Sequence, residues 1–210
     1  MLGTGTVGRN VAGRLAELDH EVTLGTRDPE ETRAREGWED VHGVGVATFA
    51  DAARDADLVV NATNGAATLD VLSLAGADNL AGTVLLDLSN PLDFSRGFPP
   101  TLLVKDTDSL AEQVQRQFPE ARVVKALNTM NNELMARPTT LADGDHTAFV
   151  ASNDEGAKAA VTALLTELGH TDVIDLGDLT GARGMEMLLP LWVRLMGTLG
   201  TANFQFKVVR

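Results

Sequence analysis

The sequence of 210 residues predicts an α/β fold, a doubly wound parallel sheet with helices on both faces and a small C-terminal lobe. Segments with the apolar pattern of buried strands alternate with segments of helical periodicity along the chain. The chain also opens with three glycines at a spacing that suits a tight turn between a strand and a helix. Both observations are typical of sheets built from βαβ units.

The opening glycines, Gly3, Gly5 and Gly8, fit the pattern G-x-G-x-x-G. In that pattern the first glycine allows a tight turn, the second lets the backbone approach a pyrophosphate, and the third lets a helix pack on a strand. An ordinary turn would also accommodate three glycines. Here apolar residues at helical spacing follow over 11–18 and a strand pattern over 21–25, so the segment predicts a Rossmann-type dinucleotide-binding unit.

The residues that follow the second strand indicate which dinucleotide is bound. An NAD site places Asp or Glu there to bind the ribose hydroxyl, whereas this chain has Thr26 and Arg27. A hydroxyl and a guanidinium suit a 2′-phosphate, because arginine offers a planar fork of donors. We therefore predict NADP(H). The alternative is that Arg27 is a solvated turn residue.

The first strand of the unit is short, since only Met1 and Leu2 precede Gly3. A central strand needs about five residues. Either the natural chain begins a few residues upstream or the strand is a stub, and the first is favoured because losing a central strand exposes the ladders of both neighbours.

Composition restricts the partners and the chemistry. The 17 Lys and Arg against 30 Asp and Glu give a net charge of −13, which disfavours nucleic acid and anionic membranes as partners. The absence of cysteine removes disulfides and thiolate chemistry. The four histidines, His20, His42, His146 and His170, are far apart in the sequence, so no metal site is predicted. No signal-peptide pattern precedes the first motif, and a cytoplasmic location is expected.

Further elements follow in order. Residues 28–45 form a polar loop that either covers the adenine end of a nucleotide or is a disordered insertion. An irregular excursion over 93–105 contains Pro99 and Pro100, and Ser109 with Glu112 form a capping box before the next helix. Strands are predicted at 44–48, 57–61, 83–88, 122–127, 146–151 and 171–176, and helices at 49–56, 66–74, 109–118, 154–168 and 181–199.

The helix predicted over 181–199 is apolar nearly all round, so we expect it to be buried on most sides. Arg183, Glu186, Pro190 and Arg194 interrupt it, which excludes a membrane span. Beyond its own sheet it must face a second subunit or a flat apolar ligand, and a homodimer is expected.

Together these features resemble the NADPH-dependent reductases of coenzyme F420. The resemblance rests on the glycine turn with Thr26-Arg27, the strand ends at 59–63, 86–91 and 124–129, and the C-terminal residues 204–210. It implies an oxidoreductase that transfers a hydride between NADP(H) and the deazaflavin of F420. The two rings would stack between an NADP-binding domain, residues 1–138, and a small acceptor and dimerisation lobe, residues 139–210.

The resemblance also implies roles for individual residues. Thr26 and Arg27 would hold the 2′-phosphate, Asn128 and Thr129 would bind the acceptor substrate, and Leu189 and Trp192 would form an apolar wall for the deazaflavin. The stretch 130–132 is more polar than in the family. The pyrophosphate would contact Gly3, Thr4, Gly5, Thr6, Val7 and Gly8. The nicotinamide side would be approached by Thr63, Asn90, Met130 and Asn132.

No catalytic acid or base stands out, which fits direct hydride transfer between aligned carbon atoms. Two alternatives stay open. An NADPH reductase of another acceptor, such as an imine, a flavin or a metal chelate, would use Asn128 or Thr129 as a donor near a substrate nitrogen. A redox sensor would bind NADP(H) without turnover. Related NADP-binding modules occur in pyrroline-carboxylate reductases and in ferric or cupric reductases.

Overall fold

A computed structural model describes residues 1–210 and contains nine strands and ten α-helices. The strands are Val22–Thr26 (β1), Val44–Thr48 (β2), Leu58–Asn61 (β3), Val84–Asp87 (β4), Leu92–Asp93 (β5), Thr101–Leu102 (β6), Arg122–Ala126 (β7), Thr147–Ser152 (β8) and Asp172–Asp175 (β9). The helices are Thr6–Glu17 (α1), Pro29–Arg33 (α2), Phe49–Ala53 (α3), Thr68–Ala75 (α4), Ala77–Leu80 (α5), Leu110–Gln117 (α6), Asn132–Ala136 (α7), Glu155–Leu168 (α8), Ala182–Met187 (α9) and Leu189–Leu199 (α10).

The main sheet has the order β2-β1-Leu2-β3-β4-β7-β8-β9. Leu2 is the central stub, since it bridges Gly25 of β1 on one side and Asn61 of β3 on the other. The pairs β1–β2, β3–β4 and β4–β7 are parallel. With Leu2 counted as the first strand, this is the order of a Rossmann sheet, and the predicted fold class is confirmed.

The last two strands depart from a wholly parallel sheet. β8 runs antiparallel to β7, and β9 is parallel to β8. The connection from β7 to β8 contains only the five-residue helix α7 and short 3₁₀ turns, not the long crossover helix that parallel neighbours need. Both strands join the same sheet as the first half of the chain. The division at residue 138 stays a prediction.

Two apolar layers cover the two faces of this sheet. Adjacent residues in a strand point to opposite faces, so Val60 packs in the layer with α1, α7 and α8, and Val59 in the layer with α3, α4 and α6. Burial on both faces explains why the strands read as continuous apolar runs. The carboxyl ends of β1, β3, β4 and β7 are thereby held side by side.

Local signals in the sequence set the helix boundaries. Ser109 Oγ accepts from the backbone N–H of Glu112 at 3.1 Å, so Ser109 caps α6 as predicted, but the Glu112 carboxylate accepts from the Ser109 hydroxyl at 2.7 Å and not from its backbone N–H as in a full capping box. Gly169 ends α8 in the left-handed conformation, φ +108°. The excursion over 93–105 contains only the two-residue strands β5 and β6, paired as an antiparallel hairpin.

Two histidines that are distant in the sequence are neighbours in the fold. The ring centroids of His146 and His170 are 6.2 Å apart, although the two residues are 24 positions apart in the sequence. Their Nε2 atoms bond the carbonyls of Pro138 and Met135, and both Nδ1 atoms are buried without a partner. The antiparallel return of β8 brings the two rings together.

We expect His170 to make folding stability depend on pH. Burial lowers the pKa of His170 to about 4, and nearby His146 lowers it further, against the opposing effect of the Met135 carbonyl. The unfolded chain therefore takes up a proton below its pKa of 6.5, and stability falls as the pH drops from 6.5 towards 4. Denaturant unfolding at pH 7 and pH 5 should show a loss of about 2 kcal/mol from this group.

The variant His170→Gln, which retains a hydrogen-bond donor for Met135, is the matched control for this measurement. It should lose less stability over the same pH interval than the parent protein does. An equal loss in the two proteins would show that other groups cause the pH dependence.

Candidate active site

The glycine turn is shaped by close packing at two of its three glycines. A Cβ on Gly3, which has φ +110°, would lie 2.7 Å from the carbonyl oxygen of Ala62, and one on Gly8 would lie 2.1 Å from that of Gly3. A Cβ on Gly5 would meet nothing within 4 Å. The protein's own packing therefore requires glycine at positions 3 and 8, whereas position 5 opens onto empty space that a pyrophosphate fits.

The N-terminus of α1 faces this space. Gly5 is the N-cap and provides no side-chain hydrogen bond, and the first turn contains no acidic residue. The first N–H groups of a helix need acceptors from outside the helix. An anionic group is a suitable partner for them, which matches the predicted pyrophosphate contacts of Thr4, Thr6 and Val7.

The end of β1 presents one unpaired cation. Arg27 is exposed and forms neither an ion pair nor a hydrogen bond. Thr26 is buried, and its hydroxyl is 2.7 Å from that of Thr32. Arg27 is thus an accessible donor, and its contact with a 2′-phosphate stays a prediction, while Thr26 fixes the strand end against α2.

Residues 28–45 fold against α1. They contain helix α2, capped by Asp28, and the guanidinium carbon of Arg9 lies 5.0 Å from the ring centre of Trp38. Arg9 also donates to the carbonyl of Glu39 at 3.0 Å. The segment is a packed excursion beside the nucleotide turn. Its predicted role over the adenine stays a prediction.

A cavity of about 340 Å³ opens where the loops after β3, β4 and β7 meet α10. It brings together eight of the predicted site residues, which come from five separate segments of the sequence. These residues are Thr63, Asn90, Asn128, Met130, Asn132, Leu189 and Trp192, together with Val7 of the glycine turn. Thr129 is buried outside the lining, so its predicted contact with a substrate is not seen.

The lining of the cavity is uncharged. Its apolar side is formed by residues such as Met130, Leu189 and Trp192, and its polar groups are the hydroxyls and amides of Thr, Ser and Asn. No Asp, Glu, His, Lys or Arg side chain contributes to it. The site can therefore orient an uncharged ring through hydrogen bonds, but its walls contain no group that gives or takes a proton near neutral pH.

Two asparagines lock the loops of this cavity together. The Asn90 amide donates to the carbonyl of Asn128 at 2.9 Å, and the Asn128 amide donates to Oδ1 of Asn90 at 2.9 Å. Asn128 also donates to the carbonyl of Met185 at 3.1 Å. On the other side, a Cβ on Gly65 would lie 2.0 Å from the carbonyl oxygen of Asn90. The strand ends and α9 are thus in direct contact.

Beneath the cavity lies a buried group of three charges that the sequence reasoning missed. The Lys125 ammonium is 2.8 Å from a carboxylate oxygen of Asp87 and 3.0 Å from one of Glu186, and all three side chains are almost wholly buried. Lys125 also donates to the carbonyl of Ser89 at 2.5 Å. The sequence does contain a sign of this cluster, because a lysine and an aspartate lie within apolar strands and buried charges require partners.

The charges of this cluster are stabilised by one another and by backbone N–H groups. Burial alone lowers the pKa of Lys125, but Asp87 and Glu186 outweigh burial, and the pKa lies above its usual value. Glu186 also accepts from the N–H groups of Leu110 and Ala111, at 2.8 and 3.2 Å, at the start of α6. The helix N-terminus thereby helps to stabilise the second carboxylate.

The helix predicted over 181–199 is two helices, α9 and α10, which meet at Leu188 beside Pro190. Leu189 and Val193 of α10 are buried, but Leu191 and Leu199 are each about half exposed, at 51% and 55%. The expectation of burial on most sides is therefore wrong for this chain alone. The apolar face of α10 that includes Leu191 and Leu199 points outward. None of the helices is both long and apolar enough to cross a bilayer.

The C-terminal segment closes the back of the cavity. The ring of Trp192 stacks on Phe204 with centroids 5.2 Å apart, and Asn131 donates to the carbonyl of Ala202 at 2.5 Å. Phe206 accepts from the N–H of Thr147 at 2.9 Å, which attaches the segment to the start of β8. Trp192 is thus fixed from behind by an aromatic contact.

Comparison with known proteins identifies the family. A family model described as coenzyme F420-dependent NADP oxidoreductase matches residues 1–91. The F420-dependent NADP reductase of Methanocaldococcus jannaschii is 29% identical over 92% of this chain and 89% of its own. Rat metalloreductase STEAP3 is 30% identical over 91% of this chain, which spans only 37% of that protein.

A solved structure gives the strongest similarity among these. A candidate F420-dependent NADP reductase from Arthrobacter sp. FB24 is 61% identical, covers 100% of this chain and 97% of its own, and superimposes with a TM-score of 0.97. The superposition covers the glycine turn, the strand ends and the C-terminal helices. The chain belongs to the family of F420-dependent NADP oxidoreductases.

Proposed function

We propose that this protein transfers a hydride between NADP(H) and coenzyme F420. The observation that carries the proposal is the uncharged cavity at the carboxyl ends of the strands, which adjoins the glycine turn through Val7. A flat ring needs an apolar wall and a few orienting amides, and hydride transfer needs no acid or base in that wall. The F420-dependent relatives support F420 as the acceptor.

In this proposal some residues hold the nucleotide, at its phosphates and at its nicotinamide, and others hold the acceptor ring. The backbone of the glycine turn and Arg27 hold the phosphates of the nucleotide, and Gly5 leaves the room that a pyrophosphate needs. Thr63 and Asn90 orient the nicotinamide side, with Thr63 itself fixed by a 2.6 Å bond to Asn61. Leu189 and Trp192 form the wall against which the acceptor ring packs and from which water is excluded.

When both are bound, NADPH supplies a hydride from C4 of its nicotinamide and F420 takes it at C5 of the deazaflavin. The reaction consumes one proton, which comes from solvent because no lining side chain titrates near neutral pH. The same property disfavours an imine as the acceptor, since an imine becomes electrophilic on protonation and requires a nearby acid.

The proposal is tested by anaerobic mixing of the protein with NADPH and oxidised F420, with NADH as the control. Catalytic loss of the deazaflavin's visible absorbance with NADPH, much faster than with NADH, is the expected result. Tight NADPH binding without bleaching would remove F420 as the acceptor and favour another acceptor or a sensor. Absence of NADPH binding would remove the nucleotide assignment as well.

The variant Arg27→Ala should weaken binding of NADPH by about 10- to 100-fold, because hydrogen bonds to a charged phosphate contribute about 1.5–3 kcal/mol. NADH carries no 2′-phosphate, so its dissociation constant should stay nearly unchanged. Fluorescence titration of both nucleotides on both proteins measures this. Equal weakening of the two nucleotides, or of neither, would contradict the assignment of Arg27.

We also propose that the protein is a homodimer in the cytoplasm. The exposed apolar stripe of α10, which includes Leu191 and Leu199, supports association with a second copy. Light scattering of the purified protein tests the dimer. Leu191→Glu should then yield a monomer, and a parent protein that is monomeric would overturn the proposal.

A further inference from the structure

The cavity is underlain by a closed circuit of contacts that links the strand ends to the C-terminal helices. Lys125 donates to the carbonyl of Ser89, which precedes Asn90 in the cavity wall. Asn90 and Asn128 exchange hydrogen bonds, and Asn128 donates to the carbonyl of Met185. The next residue, Glu186, returns to Lys125 at 3.0 Å and completes the circuit.

Hydrogen bonds from neighbouring groups hold the two carboxylates of the circuit in place in addition to the ion pairs with Lys125. Asp87 accepts from Lys125, from the Asn61 amide at 2.7 Å and from the Ser89 hydroxyl at 2.7 Å. Glu186 accepts in addition from the first N–H groups of α6. Every charged atom of the cluster therefore has a partner, and the geometry of Glu186 relative to Ser89 is fixed.

We propose that Glu186 and Lys125 are positioning residues for hydride transfer, whose ion pair sets the distance between the acceptor wall on α10 and the nicotinamide side at Asn90. Neither side chain lines the cavity, so neither contacts a bound ring. They act through Met185 on one side and Ser89 on the other. The inference rests on the proposed function, because only a two-ring reaction depends on this distance.

A displacement of the acceptor wall on α10 should affect NADPH binding and the rate of hydride transfer to different extents. NADPH is held mainly by the glycine turn and Arg27, which are remote from Glu186 in the chain and share no hydrogen bond with it. A displacement of about 1 Å between reacting groups lowers the rate of the chemical step by up to about a hundred-fold. Loss of the ion pair should thus affect transfer far more than nucleotide binding.

The test compares Glu186→Gln with the parent protein in anaerobic single turnovers of NADPH with F420. We expect the rate constant of hydride transfer to fall roughly ten- to a hundred-fold. The dissociation constant of NADPH should stay within about two-fold of the parent's value. The kinetic isotope effect on steady-state turnover with NADPH deuterated at the transferred position should also rise, because the chemical step becomes more nearly rate-limiting.

Arg183→Gln is the matched control. Arg183 also joins α9 to α6, through a 2.6 Å ion pair with Glu112, but it does not touch Lys125 and lies partly exposed. This variant should transfer hydride at close to the parental rate. If both variants slow the reaction equally, the effect reflects general loosening of α9, and the positioning role of Glu186 is overturned.

Glu186→Asp covers the case in which the glutamine variant does not fold. It keeps the charge beside Lys125 but is one methylene shorter, so it should fold and still slow hydride transfer with unchanged NADPH binding. A folded variant with the parental rate and isotope effect overturns the proposal. A parent protein that binds NADPH but never reduces F420 overturns the proposed function instead, and this inference with it.

Discussion

Replacing Lys125 with methionine should lower the free energy of unfolding by about 3–5 kcal/mol, because it leaves two buried carboxylates without their cation. The side chains of Asp87 and Lys125 are wholly buried, and that of Glu186 is 1% exposed, so solvent cannot replace the lost partner. Denaturant unfolding of parent and variant, monitored by circular dichroism at pH 7, measures the difference.

Two controls identify the cause of that loss. Lys207→Met removes a lysine that is 35% exposed and pairs with Asp145 and Asp172, and this should cost less than about 1 kcal/mol. The triple variant Asp87→Asn, Lys125→Met, Glu186→Gln leaves no charge in this cluster and should recover part of the stability. A Lys125→Met protein as stable as the parent would show that the charge cluster is unimportant for folding.

Alanine at Gly8 should destabilise the fold far more than alanine at Gly5 does. The Cβ of Gly8→Ala would lie 2.1 Å from the Gly3 carbonyl oxygen, a backbone atom that cannot move without opening the turn. We expect a loss of at least about 2 kcal/mol of stability, although alanine in a helix is normally preferred to glycine by about 0.5–1 kcal/mol.

Gly5→Ala should fold with a cost of no more than about 1 kcal/mol, since its Cβ meets no protein atom and only the N-cap preference changes. It should nevertheless bind NADPH at least about ten-fold more weakly, because the methyl group occupies the approach of the pyrophosphate. Thermal unfolding and NADPH titration of both variants give the comparison. Undiminished NADPH affinity in Gly5→Ala would contradict the pyrophosphate site.

The parts of the fold that follow from local physics could be predicted from the sequence. Apolar runs such as 84–86 are buried on both faces, and the sequence therefore predicts them as strands. The residues after parallel strands meet at one edge, and Asn90 and Asn128, whose roles the family resemblance implied, both line the cavity at that edge.

Features that depend on long-range pairing could not be predicted in the same way. The strand pattern of residues 147–152 does not state their direction, and their antiparallel pairing brings His146 beside His170. Lys125 and Glu186 are 61 positions apart in the sequence, so no local pattern predicts that they form an ion pair. In the sequence, Glu186 was read only as a charge that excludes a membrane span. The structure shows that it is the ion-pair partner of Lys125.

Isotope tracing distinguishes direct transfer of a hydride from NADPH to F420 from every route through solvent. NADPH carrying deuterium at the transferred C4 position is oxidised by the protein with F420 in ordinary water, and the reduced F420 is analysed by mass spectrometry and NMR. The label should appear at C5 of the deazaflavin, because the hydride passes directly between two aligned carbon atoms and does not exchange with solvent. Reduced F420 without the label, or NADPH that is not consumed, would contradict the account.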